Sequence, residues 1–290
     1  MHPSDRDRYL ARLGTPPDLR HPSVEGLAAL HAAHVERIPY EVVDIQLGRP
    51  TTIEPADSAH RITRRHRGGY CYHLNGAFSA LLRSLGYDVR WHRAGAQYHG
   101  EAPPGAVGNH LALTVRGLPS DVCPDGVWVI DAGLGDGLHH PIPLREGTYR
   151  QGPLRFTLRP SEVEPGGWRL DHDERGSFAG MDVRADEAGI GDFLDQHHHL
   201  STSPTSGFVR TCAVQRRDGD GADMLAGCVL RRLTAAGTSS HTIETSTDWF
   251  AALADVFDLP LTDLEPTDRD RLWRRVRDAH EAWQASRTSA

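Results

Sequence analysis

Residues 67–86 read RGGYCYHLNGAFSALLRSLG, and the stretch changes character at Cys71. Ahead of the cysteine, Gly68 and Gly69 form a turn pair. Behind it, Leu74, Ala77, Phe78, Leu81, Leu82 and Leu85 recur at three- and four-residue steps, the apolar stripe of an amphipathic helix. Gly86 stands where a C-terminal cap glycine belongs. Cys71 therefore opens a helix, where the macrodipole and unpaired backbone N–H groups both favour thiolate over thiol. The glycine pair is expected to let a substrate carbonyl approach the backbone, with the amides beside the nucleophile holding an oxyanion.

Working outward, an N-terminal helix is marked by Ser23 as its cap, by apolar steps at Leu27, Leu30, Ala33, His34 and Ile38, and by Pro39 as its stop. After Gly86 the period becomes two. Residues 87–91 read as a strand, and 109–116 alternate, with Leu111, Leu113 and Val115 on one face and His110, Ala112 and Thr114 on the other. Residues 127–131 are a short apolar strand ending in an acid, followed by a loop with Gly133, Gly135 and Gly137. Short strands with Pro and Gly turns continue to about Gly180. Beyond Ile190 the pattern mixes, with a loop at 201–206, a strand over 208–214, and helices beginning near Ser246 and Thr267.

With 290 residues, 38% hydrophobic and 24% charged, the chain has the composition of a core-burying globular protein. Disordered, collagen-like and coiled-coil classes are excluded. A net charge of −7, from 32 basic and 39 acidic residues spread along the chain, offers no basic field for nucleic acid. Every basic residue is arginine, so no Schiff-base lysine or P-loop lysine exists. No apolar run approaches the roughly 18 residues of a membrane span, and residues 1–10 lack a secretory apolar region, so no membrane partner and a cytoplasmic address are expected.

Cys71, Cys123, Cys212 and Cys228 lie far apart without Cys-x-x-Cys spacing, which argues against a zinc cage or disulfide framework. The last three read as structural. The run His197-His198-His199 and the pair His139-His140 read as loop or helix surface, because consecutive side chains diverge. His31 and His34 lack the glutamate of a His-Glu-x-x-His motif and read as core-edge residues. No metal site is expected. Both tryptophans of the last helix are expected to pack on the body.

A thiolate needs a proton shuttle near neutral pH, which means histidine. His110 shares its strand face with the small Ala112, leaving room for a thiol. Asp131, ending the next strand, supplies the acceptor that fixes the imidazole tautomer. Taken singly, each of the three is commonly structural. The chain order of helix cysteine, strand histidine and next-strand aspartate is the arrangement of papain-like and transglutaminase-like cores.

The segment Arg67-Gly68-Gly69-Tyr70-Cys71-Tyr72-His73-Leu74-Asn75 resembles the signature of the arylamine N-acetyltransferase family, Arg-Gly-Gly-x-Cys with Asn four residues after the cysteine. Further blocks agree in order: Ile38-Pro39-Tyr40-Glu41 with Asp44-Ile45, then Asn109-His110, then Ile130-Asp131-Ala132-Gly133-Leu134-Gly135, and finally residues 201–208. The resemblance runs from about Tyr9 to about Phe208. It implies an α+β fold of three parts: a helical bundle over 1–86 carrying the nucleophile, a β-barrel over 87–190 carrying His110 and Asp131, and an α/β lid over 191–290, around a papain-like Cys-His-Asp core.

The resemblance also implies roles. Cys71 would take an acyl group, acetyl above all, from coenzyme A as a thioester, with His110 as base and acid and Asp131 as its orienter. An aromatic amine, hydrazine or hydroxylamine would then collect the acyl group. Acetyl-CoA is implied as co-substrate, with no tightly bound cofactor and a monomer or weak homodimer as the working form. Tyr40, Tyr70, Leu134, Gly135 and Phe208 fall in the implied substrate-binding region. Arg67 and Glu41 match positions of a buried ion pair and are implied to be structural. The chain departs from the family pattern at His73, where Glu or Gln is usual, at Leu134, where Phe is usual, and at Val42-Val43, where Asn-Leu is usual. Three other readings keep the same residues. They are an amide synthase fed by an acyl carrier protein or other thioester, a papain- or transglutaminase-like hydrolase, and a non-catalytic ligand-binding module.

Overall fold

The computed structural model describes residues 1–15, 21–98 and 104–288. The first segment is helical: α1 (Pro3–Leu13), α2 (Val24–Arg37), α3 (Val43–Gln46), α4 (Pro55–Arg65) and α5 (Cys71–Ser84), with a two-residue strand β1 (Tyr40–Glu41) after α2. Local chemistry sets the ends. The Ser23 hydroxyl accepts the Gly26 N–H at 2.9 Å and caps α2, and Gly86 follows α5 with a left-handed φ of 93°. Cys71 opens α5 as its spacing predicts. This helix is buried almost throughout, and Leu74, Phe78, Leu81 and Leu82 anchor the largest core with Tyr9, Leu27 and Leu30.

The middle segment is one antiparallel sheet of β2 (Asp88–Gln97), β3 (His110–Arg116), β4 (Trp128–Ile130), β5 (Ile142–Pro143), β6 (Gly147–Gln151), β7 (Leu154–Pro160), β8 (Trp168–Asp171) and β9 (Gly180–Glu187). Its order, β5-β4-β3-β2-β9-β8-β7-β6, curls into a nearly closed barrel. The pairs Ala94↔His110 and Leu113↔Ile130 fix the register of β2, β3 and β4. That register brings the start of β3 and the end of β4 to one rim, above the first turn of α5.

The last segment holds α6 (Leu194–Thr202), α7 (Gly207–Arg210), β10 (Ala213–Arg217), β11 (Gly221–Ala226), β12 (Val229–Thr234), β13 (Gly237–Thr242), α8 (Ser246–Phe257) and α9 (Pro266–Thr288). Its sheet runs β1-β10-β11-β12-β13, so its first strand comes from the helical segment. The expected strand over 208–214 is corrected. Ser206 caps a one-turn helix by accepting the Phe208 N–H at 3.2 Å, and the strand begins only at Ala213. A separate core of Trp249, Leu253, Phe257, Leu272 and Val276 also takes in Val43 and Leu47 from α3 and the residue after it. Trp273 packs there, whereas Trp283 is 47% exposed, against the expectation that both tryptophans are covered. Among the described residues, no helix is long and apolar enough to cross a membrane.

Candidate active site

Cys71 at the start of α5, His110 at the start of β3 and Asp131 just beyond β4 come together, and Cys71 and His110 line one cavity. His110 Nε2 lies 2.6 Å from Asp131 Oδ2. Its other side meets the Cys71 side chain, whose Sγ lies 3.7 Å from the Asn109 carbonyl oxygen. Burial alone would lower the imidazole pKa, but the Asp131 carboxylate and then the Cys71 sulfur lift it to about 10. His110 is therefore an imidazolium at neutral pH. With the Cys71 sulfur beside it, the arrangement places a nucleophile and a proton donor together, able to attack a carbonyl and return a proton.

Asp131 is itself held from several directions. Its Oδ1 accepts from Asn75 Nδ2 at 2.8 Å and from the Gly133 N–H at 2.9 Å. Asn75, one helical turn after Cys71, also accepts the Ala132 N–H at 2.9 Å and donates to the Leu111 carbonyl at 2.7 Å. Beneath, the Asp131 N–H donates to His31 Nε2 at 3.1 Å, and His31 Nδ1 donates to the His139 carbonyl at 3.0 Å. Burial lowers the His31 pKa to about 4, so the ring is neutral with its proton on Nδ1. The sequence placed His31 at the core edge; it is fully buried under the aspartate. His139 is also buried rather than on the surface, its Nε2 2.7 Å from Glu36.

The glycines around the cysteine serve packing. A Cβ on Gly68 would stand 1.7 Å from the Pro39 carbonyl oxygen, and one on Gly69 would stand 2.6 Å from His73 Cβ. Both faces are thus occupied by protein, which corrects the expectation that the pair opens the backbone to substrate. Gly133 is the glycine nearest the chemistry: its Cβ would come 2.7 Å from Cys71 Cα and 2.9 Å from Asn75 Nδ2.

Arg67 and Glu41, both fully buried, pair at 3.2 Å. The cluster is larger than the pair. Arg61 bonds Glu41 and Asp44 and donates through Nε to the Gly68 carbonyl at 2.6 Å, and Arg67 also reaches Asp263 at 3.2 Å. The Glu41 N–H donates to the Gly69 carbonyl at 2.9 Å. Burial pushes the Glu41 pKa up, but Arg67 and Arg61 overcome it and hold the carboxyl at about 2. The cluster braces the turn that presents Cys71. Arg61 and Asp263 carry no local signal, because each finds its partners through the fold.

The cavity encloses about 480 Å³. Tyr40, Leu134 and Phe208 line it with Cys71 and His110, and Tyr98, Ser177, Phe178 and Leu200 do so without sequence warning. Tyr70 and Gly135 lie outside this lining. Tyr70 is buried against Phe208, Tyr72 and His73 and hydrogen-bonds His197, which reaches the Thr51 carbonyl at 2.9 Å. Gly135 packs on Gln215, whose Oε1 would stand 1.9 Å from an added Cβ. Cys212 is buried, and burial pushes its thiol up to about 12.

A cysteine on a buried helix, facing a histidine and an aspartate at the rim of a nearly closed barrel, defines an α+β protein with a Cys-His-Asp cluster between its helices and its barrel. The family model described as N-acetyltransferase matches residues 23–265. The arylamine N-acetyltransferase / N-hydroxyarylamine O-acetyltransferase of Salmonella typhimurium is 34% identical over 148 residues, 50% of this chain and 49% of that protein. The chain spans about half the length of the curated relatives it matches in this way. Solved structures match further. The arylamine N-acetyltransferase of Mycobacterium abscessus has a TM-score of 0.80 at 27% identity, covering 93% of this chain and 94% of that one. That of Mycobacterium marinum, solved in complex with CoA, has a TM-score of 0.82 at 25% identity, covering 93% and 97%. The chain belongs to the arylamine N-acetyltransferase family.

Proposed function

We propose that this protein transfers an acyl group, acetyl above all, from coenzyme A through Cys71 to an aromatic amine, hydrazine or hydroxylamine. The observation that carries the reading is the Cys71–His110–Asp131 contact, whose cysteine and histidine line a cavity shared with Tyr40, Phe178 and Phe208. The Cys71 thiolate attacks the thioester carbonyl of acetyl-CoA. As the tetrahedral intermediate collapses, the coenzyme A sulfur leaves with the proton of His110, giving free thiol, acyl-cysteine and neutral imidazole. The amine nitrogen then attacks the acyl-cysteine and loses its proton to His110 as the Cys71 thiolate departs. Each cycle ends with both residues returned to their starting state.

Asp131 keeps His110 oriented and stabilises its charged form, and Asn75, Gly133 and His31 keep Asp131 in place. Arg67 and Glu41 act as the brace of the nucleophile's turn. Acetyl-CoA enters as a co-substrate and leaves as free coenzyme A, so the chemistry needs no resident cofactor. Initial rates measured while varying acetyl-CoA at several fixed aniline concentrations test this reading. Parallel double-reciprocal lines, with coenzyme A release that stops without amine, are expected. Sustained release of coenzyme A without amine would replace the transferase with a hydrolase.

A further inference from the structure

Asp136 lies in the glycine loop after the triad aspartate and is completely buried. Its Oδ2 accepts the Ser177 N–H at 2.7 Å, and its Oδ1 accepts the Ser177 hydroxyl at 2.7 Å. His172 stands 3.6 Å from the same Oδ1 and 3.1 Å from the Asp136 carbonyl oxygen. The His172 ring packs on Gly176, where a Cβ would meet it at 2.4 Å, so the loop carrying Ser177 is seated tightly. Burial raises the Asp136 pKa, but His172 and the two Ser177 bonds overcome it and hold the group below the ordinary carboxylate value. Asp136 is therefore an acceptor, and the single proton of the Ser177 hydroxyl is committed to it.

Ser177 also lines the cavity above Cys71. With its proton spent on a buried carboxylate, the hydroxyl has only lone pairs to offer a ligand, and the carboxylate's charge makes it a stronger acceptor. Asn109, another polar residue of the lining, is occupied on both sides by Ala96, accepting its N–H at 2.8 Å and donating to its carbonyl at 3.0 Å. Among the described lining residues, none outside the Cys71–His110 pair is an acid or an arginine. Phe178 follows Ser177 on the same wall and supplies an aromatic surface. Such a wall fits a neutral, flat molecule that presents a hydrogen-bond donor.

We propose that Ser177, its hydroxyl polarised by Asp136, makes this wall select acceptor amines that carry a second hydrogen-bond donor, such as a ring hydroxyl. The inference rests on the acyltransfer reading above and specifies its acceptor. The wild type, Ser177→Ala and Ser177→Thr are first acetylated with acetyl-CoA and checked by intact mass. Deacetylation is then timed with 3- and 4-aminophenol and with their methoxy ethers, because hydroxyl and methoxy groups alter amine basicity similarly while only the hydroxyl donates. The wild type is expected to prefer an aminophenol over its ether by about tenfold, the worth of one good hydrogen bond. Ser177→Ala is expected to bring the ratio within about twofold, and Ser177→Thr to keep most of it.

An equal preference in Ser177→Ala, or none in the wild type, overturns the proposal. So does a Ser177→Ala enzyme that acetylates slowly yet keeps the aminophenol preference, which would assign the hydroxyl to an N–H of the thioester donor. If wild-type protein forms no acetyl-enzyme at all, the acyltransfer reading itself has failed, at a step before any acceptor is added.

Discussion

The imidazole of His110 keeps its proton because two groups face it that burial cannot outweigh. Its pKa of about 10, against an ordinary 6.5, means the proton stays on through neutral pH. The stabilisation from this contact is complete below about 6.5 and is lost as pH rises through about 10. Acetylation of Cys71, which uses that proton for the leaving sulfur, should be flat from about pH 7 to 9 and decline through about 10. Asp131→Asn should slow acetylation about a thousandfold or more and move the decline toward neutral pH. Stopped-flow rates across pH check both, and a wild-type decline centred near 6.5 would contradict them. Gly133→Ala, whose Cβ would meet Cys71 Cα at 2.7 Å, should cost about 1–3 kcal/mol in urea unfolding and slow acetylation. Unchanged rates and stability would show that the loop yields freely. The three chemical residues were legible because each sits on a local pattern: a helix start, an alternating strand and a strand end. His31 and Asn75 were not assigned their roles, since their partners lie on β3 and in the loop after β4.

Among the elements, α5 and β3 follow from periodicity, and the turn between α4 and α5 follows from its glycines. What periodicity does not show is the charge cluster beneath that turn. Glu41 serves Arg67 and Arg61 together, so Glu41→Gln strands buried guanidinium charge and should cost about 3–5 kcal/mol. With its carboxyl held at about 2 against 4.5, the Glu41 contribution is complete above about 4.5 and is lost as pH falls through about 2. Urea unfolding at pH 7 and pH 3 should show a smaller pH dependence in Glu41→Gln than in wild type. An equal dependence would assign the acid sensitivity to other carboxylates. The element misread from sequence is α7, where a serine cap outweighs the strand-like run after Phe208. β13 carries no apolar alternation because every residue of it is exposed.

At the scale of the molecule, the helical segment and the last segment share structure. Tyr40 and Glu41 pair with Gln215 and Val214, and Val43 and Leu47 complete the last segment's core. Composition announced a globular chain, and the resemblance implied its α+β class and a three-part division. Neither showed that β1 belongs to the sheet of the last segment, because two residues of strand leave no pattern. A chain ending after Glu187 would uncover the β1 edge and the face of α3, and it should aggregate when expressed. A soluble, monomeric fragment with native near-UV circular dichroism would contradict this interdependence.

The central claim is that Cys71 carries the acyl group between two substrates. Intact-protein mass after mixing with acetyl-CoA, beside a Cys71→Ala control, tests it most directly. A gain of about 42 Da in the wild type alone, lost on adding an aromatic amine, is the predicted result. No gain in the wild type, or an equal gain in Cys71→Ala, would contradict it.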